Sequence, residues 1–171
     1  MSPRPFFLHG FLSIGILVAA PPAAIAQALG EWRALTAEEE QARIGDTPSG
    51  ETDPSMIEAD FDGDGRQDRA LVAVRRSNGA RGLVVATRGK VQVIKPEDVE
   101  PQDGLRLAAP GPWDTVCGNA FRAFHQGTCN DGYPSRVELR NPGILWIGNG
   151  RTVLYYWDGK TNRFSGVLMV D

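Results

Sequence analysis

The stretch ADFDGDGRQDRALVAV, residues 59–74, decides the fold. Its first half sets four carboxylates, Asp60, Asp62, Asp64 and Asp68, among Gly63 and Gly65. Acids at that spacing repel one another unless something positive sits between them. Its second half alternates: Leu71 and Ala73 point one way, Val72 and Val74 the other. Both sets are apolar, which predicts a strand buried on both faces. The acidic loop therefore joins a short strand, MIEAD, to a central one.

The same β character continues outward. Asn78-Gly79 is a strong hairpin signal after RALVAVRR. LVVAT, the turn RGK and VQVI follow, giving a meander of three strands. Pro96 stops it, because proline cannot donate to a ladder. LRLAA predicts another strand, and residues 110–135 read as a long irregular stretch. RVELR, ILWIG, TVLYYW and RFSGVLMV then read as four strands, separated by NPG, NGR and DGKTN. Upstream, Thr36 and Glu39 make a capping box for a short helix, AEEEQARI, that Gly45 would end. The expectation is a mainly β, single antiparallel domain of about eight strands with one short N-terminal helix. It is a meander related to a propeller blade, or a sandwich.

The acidic loop has ligand spacing. Hard cations such as Ca²⁺ take about six to eight oxygens, many from carboxylates. Asp60, Asp62, Asp64 and Asp68 occupy positions 1, 3, 5 and 9 of a loop whose sixth residue is Gly65. The seventh, Arg66, would contribute its backbone carbonyl. Position 12, where an EF-hand carries a bidentate Glu, is Leu71, and the flanks are strand formers. Both features argue against a helix–loop–helix hand.

ADFDGDGRQDRALV resembles the calcium loop of FG-GAP or VCBS repeats, in a single copy covering about 20 residues. The resemblance implies a loop between two strands that wraps structural Ca²⁺, with Asp60, Asp62, Asp64 and Asp68 as side-chain ligands. It also implies that Arg66 ligates through its carbonyl and that Phe61 packs beneath the loop. The end of the chain, from Glu138 to Asp171, resembles small secreted bacterial proteins without assigned function.

The N-terminus sets the expected compartment. Arg4, the apolar run from Phe6 to Ala20 and the small-residue stretch AAIAQA read as a signal peptide, residues 1–26, cut after Ala26 or Ala28. Pro21 and Pro22 close the run before it reaches the length of a membrane span. Residues 27–55 then form a helix and tether, and residues 56–171 the β domain. The mature chain is expected in the periplasm or outside the cell, with no membrane span. The formal charge of −3 argues against nucleic acid, which needs a concentrated basic face. Cys117 and Cys129 are the only cysteines, and an oxidising compartment predicts a disulfide between them. It closes a short loop, a constraint of about 3 kcal/mol.

No catalytic constellation is legible. His125 is the one histidine after the leader, no G-x-S-x-G occurs, and Glu97, Asp98, Asp114 and Asp158 lack a singling pattern. Trp146, Tyr155, Tyr156 and Trp157 read as core. Trp113, Phe121 and His125, in the long stretch, are candidate partner contacts. The sequence reading is a secreted or periplasmic, non-enzymatic binding or envelope-associated module with one structural calcium and a protein or glycan partner. One alternative is an inhibitor of an extracellular enzyme using residues 110–134. The other is an envelope polysaccharide hydrolase.

Overall fold

The computed structural model describes residues 29–45, 53–88, 90–118, 129, 133–148 and 150–169. The leader, Phe121 and His125 lie outside the described residues. The chain is mainly β and its strands pair antiparallel. In order they are β1 (Trp32–Ala34), β2 (Met56–Ala59), β3 (Asp68–Arg75), β4 (Arg81–Thr87), β5 (Lys90–Lys95) and β6 (Gly104–Ala108). Then follow β7 (Gly111–Asp114), β8 (Arg136–Leu139), β9 (Gly143–Gly148), β10 (Arg151–Asp158) and β11 (Arg163–Leu168). One helix, α1 (Ala37–Gly45), lies between β1 and β2.

The expected meander is β3–β4–β5. Its first turn works as the residues dictate: Gly79 adopts φ +74°, and the Asn78 side chain accepts the Ala80 N–H. β5 ends at Lys95, just before Pro96. β1 and β2 share the remaining edge of β3, end to end: Trp32–Ala34 pair with its last residues and Met56–Ala59 with its first. A second sheet runs β11–β10–β9–β6, and β7 and β8 form a separate two-stranded ribbon.

Alternation along each strand sorts the side chains into layers. Ala70, Val72, Leu83 and Val85 from the first sheet meet Leu105, Ile144 and Trp146 from the second, with Phe61 and Val99 among them. The opposite face of the first sheet buries Leu71, Ala73 and Val84 with Leu29 and Trp32. The opposite face of the second sheet buries Ala108, Leu154 and Val167 with Val137 and Leu139 of the ribbon. The result is a two-sheet sandwich with the ribbon as a third layer. Tyr155 packs into the inter-sheet core, while Leu154 and Tyr156 face the ribbon. The sheets are also stitched by main chain, since Pro54 O accepts from Leu105 N–H and Ser55 O from Val72 N–H.

Among the described residues there are eleven strands where about eight are expected. β1 has three residues, too few for alternation to show. β7 reads Gly-Pro-Trp-Asp, which looks like a turn, and it corrects the irregular reading of residues 110–135 at Gly111–Asp114 only; residues 119–128 and 130–132 of that stretch lie outside the described residues. Pro112 is tolerated there because it stands opposite Glu138, at a pair that exchanges no ladder bonds with β8. The Cys117–Cys129 disulfide is formed, with Cα atoms 5.6 Å apart. Among the described residues no helix is long and apolar enough to cross a membrane.

The helix starts as its capping box requires. Glu39 N–H donates to Thr36 Oγ1 at 3.2 Å, and Thr36 N–H donates to Glu39 Oε2 at 2.8 Å. Arg33 grips the same carboxylate with two N–H groups at 2.6 and 2.8 Å, and this holds the Glu39 pKa down to about 2. A depressed folded pKa stabilises the fold above the unfolded value and loses that effect as pH falls through the folded one. Glu39→Gln keeps the capping reach but removes the charge. It should cost about 0.5–1 kcal/mol at pH 7, the modest worth of a half-exposed pair. In urea titrations the deficit should vanish as pH falls from about 4.5 to about 2.

Candidate metal centre

The acidic loop is the connection between β2 and β3, and it is organised by its own carboxylates. Asp60 accepts Gly63 N–H on Oδ1 and Gly65 N–H on Oδ2, both at 2.8 Å. Asp62 Oδ1 accepts Asp64 N–H at 3.1 Å, and Asp64 Oδ1 accepts Arg66 N–H at 2.9 Å. Gly63 and Gly65 sit at φ +78° and +82°, the left-handed region that glycine enters without strain. Gly63 is doubly constrained, because a Cβ there would lie 2.6 Å from the Asn141 side-chain nitrogen.

Asp68 closes the loop from beneath. It is the first residue of β3, only 2% exposed, and its Oδ2 accepts Phe61 N–H at 2.9 Å and Asp62 N–H at 3.3 Å. Burial is the main cause that raises its pKa. The Asp62 and Asp64 charges push the same way, against the two N–H donors. Phe61 turns inward and is fully buried in the inter-sheet core, as the resemblance implies for that position.

One carboxylate oxygen each from Asp60, Asp62 and Asp68 lies within 4.8 Å of the others. Oxygens around a single Ca²⁺, bound at about 2.3–2.6 Å, stand at most about 5 Å apart, so these three fit one ion. Asp64 is not in that group; its carboxylate is turned to the Arg66 N–H. The donors are oxygen only, the hard set that suits Ca²⁺ or Mg²⁺ and not zinc. Compared with known protein families, characterised proteins and solved structures, the chain matches none.

The other expected site residues are dispersed. Trp113 stands on β7 opposite Val137, half-buried against the ribbon core, with its indole N–H on Ala109 O at 2.9 Å. Three of the acids considered for hydrolysis have structural tasks. Asp114 binds Arg136 at 2.8 Å, Asp158 caps its own turn through Lys160 N–H and Thr161 Oγ1, and Asp98 lies 3.8 Å from Lys95.

Two buried charged residues gave no sequence signal. Arg43, 3% exposed, reaches Glu40 at 3.0 Å and Asp53 O at 2.7 Å from the far end of α1. Asp103 is fully buried: its Oδ2 accepts Glu100 N–H and the Trp146 indole N–H at 2.9 and 3.1 Å, while Oδ1 has no partner among the described residues. Gly148 passes directly against this carboxyl, where a Cβ would overlap it. Burial raises the Asp103 pKa, helped by Glu100 and opposed by its donors and Lys95. A raised folded pKa contributes stability below the unfolded value and loses it as pH rises through the folded one. Asp103→Asn removes that titration. Urea unfolding at pH 4 and pH 8 should show the wild type losing stability relative to the variant as pH increases.

Proposed function

We propose that the chain is a secreted or periplasmic, non-enzymatic binding module whose β2–β3 loop holds one structural calcium, in the manner of FG-GAP or VCBS loops. The observation that supports this is the convergence of Asp60, Asp62 and Asp68 oxygens within 4.8 Å on glycine-shaped backbone. A plain turn needs no such convergence. The ion would supply positive charge where three carboxylates meet. The chain's own part is to aim them: Asp68 from the buried start of β3, Asp60 and Asp62 from the loop.

The site is placed to brace the architecture. Phe61 roots the loop between the two sheets, and the Asn141 side chain, from the corner after β8, meets the loop at Phe61 O, 3.5 Å away. A cation held there joins the first sheet to the corner that leads from the ribbon into the second. Export to an oxidising compartment is supported by the Cys117–Cys129 bond.

Extracellular calcium modules bind with dissociation constants of about 10⁻⁴–10⁻³ M. In 10 mM Ca²⁺ such a site stabilises the fold by about 1.4–2.7 kcal/mol. For a domain of this size that raises Tm by about 3–10 °C. Differential scanning calorimetry in 10 mM CaCl₂ and in excess chelator should show the shift, and Asp60→Asn should abolish it. Equal Tm in both buffers overturns the calcium reading.

A further inference from the structure

A groove of about 710 Å³ runs along the ribbon, within the size range of ligand sites. Its lining includes every residue from Arg136 to Asn141, and Tyr156 to Lys160 also line it. Val137 and Leu139 bury their side chains in the ribbon core, so a groove that also meets exposed Arg136, Glu138 and Arg140 follows the strand's edge. β8 pairs with β7 on one side, and among the described residues no strand pairs with it on the other.

The phase of the ribbon tells which backbone groups that edge offers. Thr115 N–H donates to Ser135 O at 3.1 Å, and these two residues stand opposite each other in the register. Bonded and non-bonded pairs alternate in an antiparallel ladder. Val137 and Leu139 therefore exchange bonds with β7, opposite Trp113 and Gly111. Arg136 and Glu138 do not, which is why Pro112 fits opposite Glu138. The N–H and C=O groups of Arg136 and Glu138 point away from β7, to the side where the groove lies.

We infer that this groove takes an extended peptide segment of a partner protein, added as a third strand to the edge of β8 that no described strand pairs. The inference rests on reading the chain as a binding module; Asp62 and Gly63 of the acidic loop also line the groove, so the ion site borders it. Strand addition satisfies up to four backbone groups, and side chains set the choice of peptide. Arg136, Glu138 and Arg140 are exposed on one face of the strand. Charges often guard an edge against pairing. These alternate in sign, so they select a partner instead of repelling all. An acidic residue suits the position opposite Arg140 and a basic residue the one opposite Glu138; an acid opposite Arg136 shares that guanidinium with Asp114 of β7, 2.8 Å away. The residues between them turn to the side of buried Val137 and Leu139, where Tyr156 packs, and should be apolar.

The probe is a capped, dye-labelled heptapeptide, Thr-Glu-Val-Lys-Val-Glu-Thr, with a control in which Glu and Lys are exchanged. Fluorescence anisotropy should show saturable binding of the first, about tenfold tighter than the control. Glu138→Pro removes an outward N–H that β7 does not use, and should abolish binding while the melting transition persists. Arg140→Glu, a surface change that leaves the backbone intact, should narrow or invert the preference between the peptides. Absence of saturable binding up to millimolar peptide overturns the inference, as does equal binding of both peptides that neither variant alters. A concentration-dependent dimer abolished by Glu138→Pro overturns it in favour of a second copy of this chain. Each titration is run with Ca²⁺ and with chelator. Peptide binding without a calcium-dependent Tm sinks only the calcium reading. A calcium-dependent Tm without peptide binding sinks only this one.

Discussion

The corner between β2 and β3 rests on one buried carboxylate. Asp68 accepts the N–H groups of Phe61 and Asp62, and Phe61 in turn fills the space between the two sheets. The acidic loop is therefore anchored in the core at one end and strung on glycines at the other. Moving the loop would uncover Phe61 and strand the Asp68 carboxylate in an apolar setting, where an unpaired charge is costly. Two backbone donors offset part of that cost. The repulsion from Asp62 and Asp64 remains, and a divalent cation bound there would relieve it.

From this corner the rest of the molecule acquires its layers. β3 is buried on both faces, so the first sheet can pack on the second while Trp32 and Leu29 cover its back. The second sheet carries the ribbon on its own outer face, and the ribbon is held there by the main-chain bond from Val116 N–H to Leu168 O beside the Thr115–Met169 bridge. The ribbon is docked by one face and paired along one edge, and among the described residues no strand pairs with its β8 edge.

Much of this was legible in the sequence because it is encoded locally. The Asn78-Gly79 turn, the Thr36–Glu39 capping box, the stop at Pro96 and the Cys117–Cys129 pair depend on a few neighbouring residues. So does the acidic loop, whose glycines announce the left-handed backbone they adopt. What spacing could not show is which carboxylates converge, because Asp64 and Asp60 look alike in sequence while only Asp60 joins Asp62 and Asp68. β1 and β7 were hidden for a different reason: three residues, or a Gly-Pro pair, become strands only when a longer neighbour supplies the ladder. Burial of Asp103 and Arg43 is likewise a property of the assembled layers, since each is held by groups distant in the chain.

The claim on which the account turns is that the loop cages a cation. Amide NMR of ¹⁵N-labelled protein, titrated from chelator into Ca²⁺, reads the site directly. The account predicts one saturable transition in which the Gly63, Gly65 and Asp68 amides and the Asn141 side chain shift together, with a midpoint at or below about 1 mM. Resonances of the loop that stay unmoved to 10 mM, or that drift without saturating in proportion to ionic strength, would contradict it.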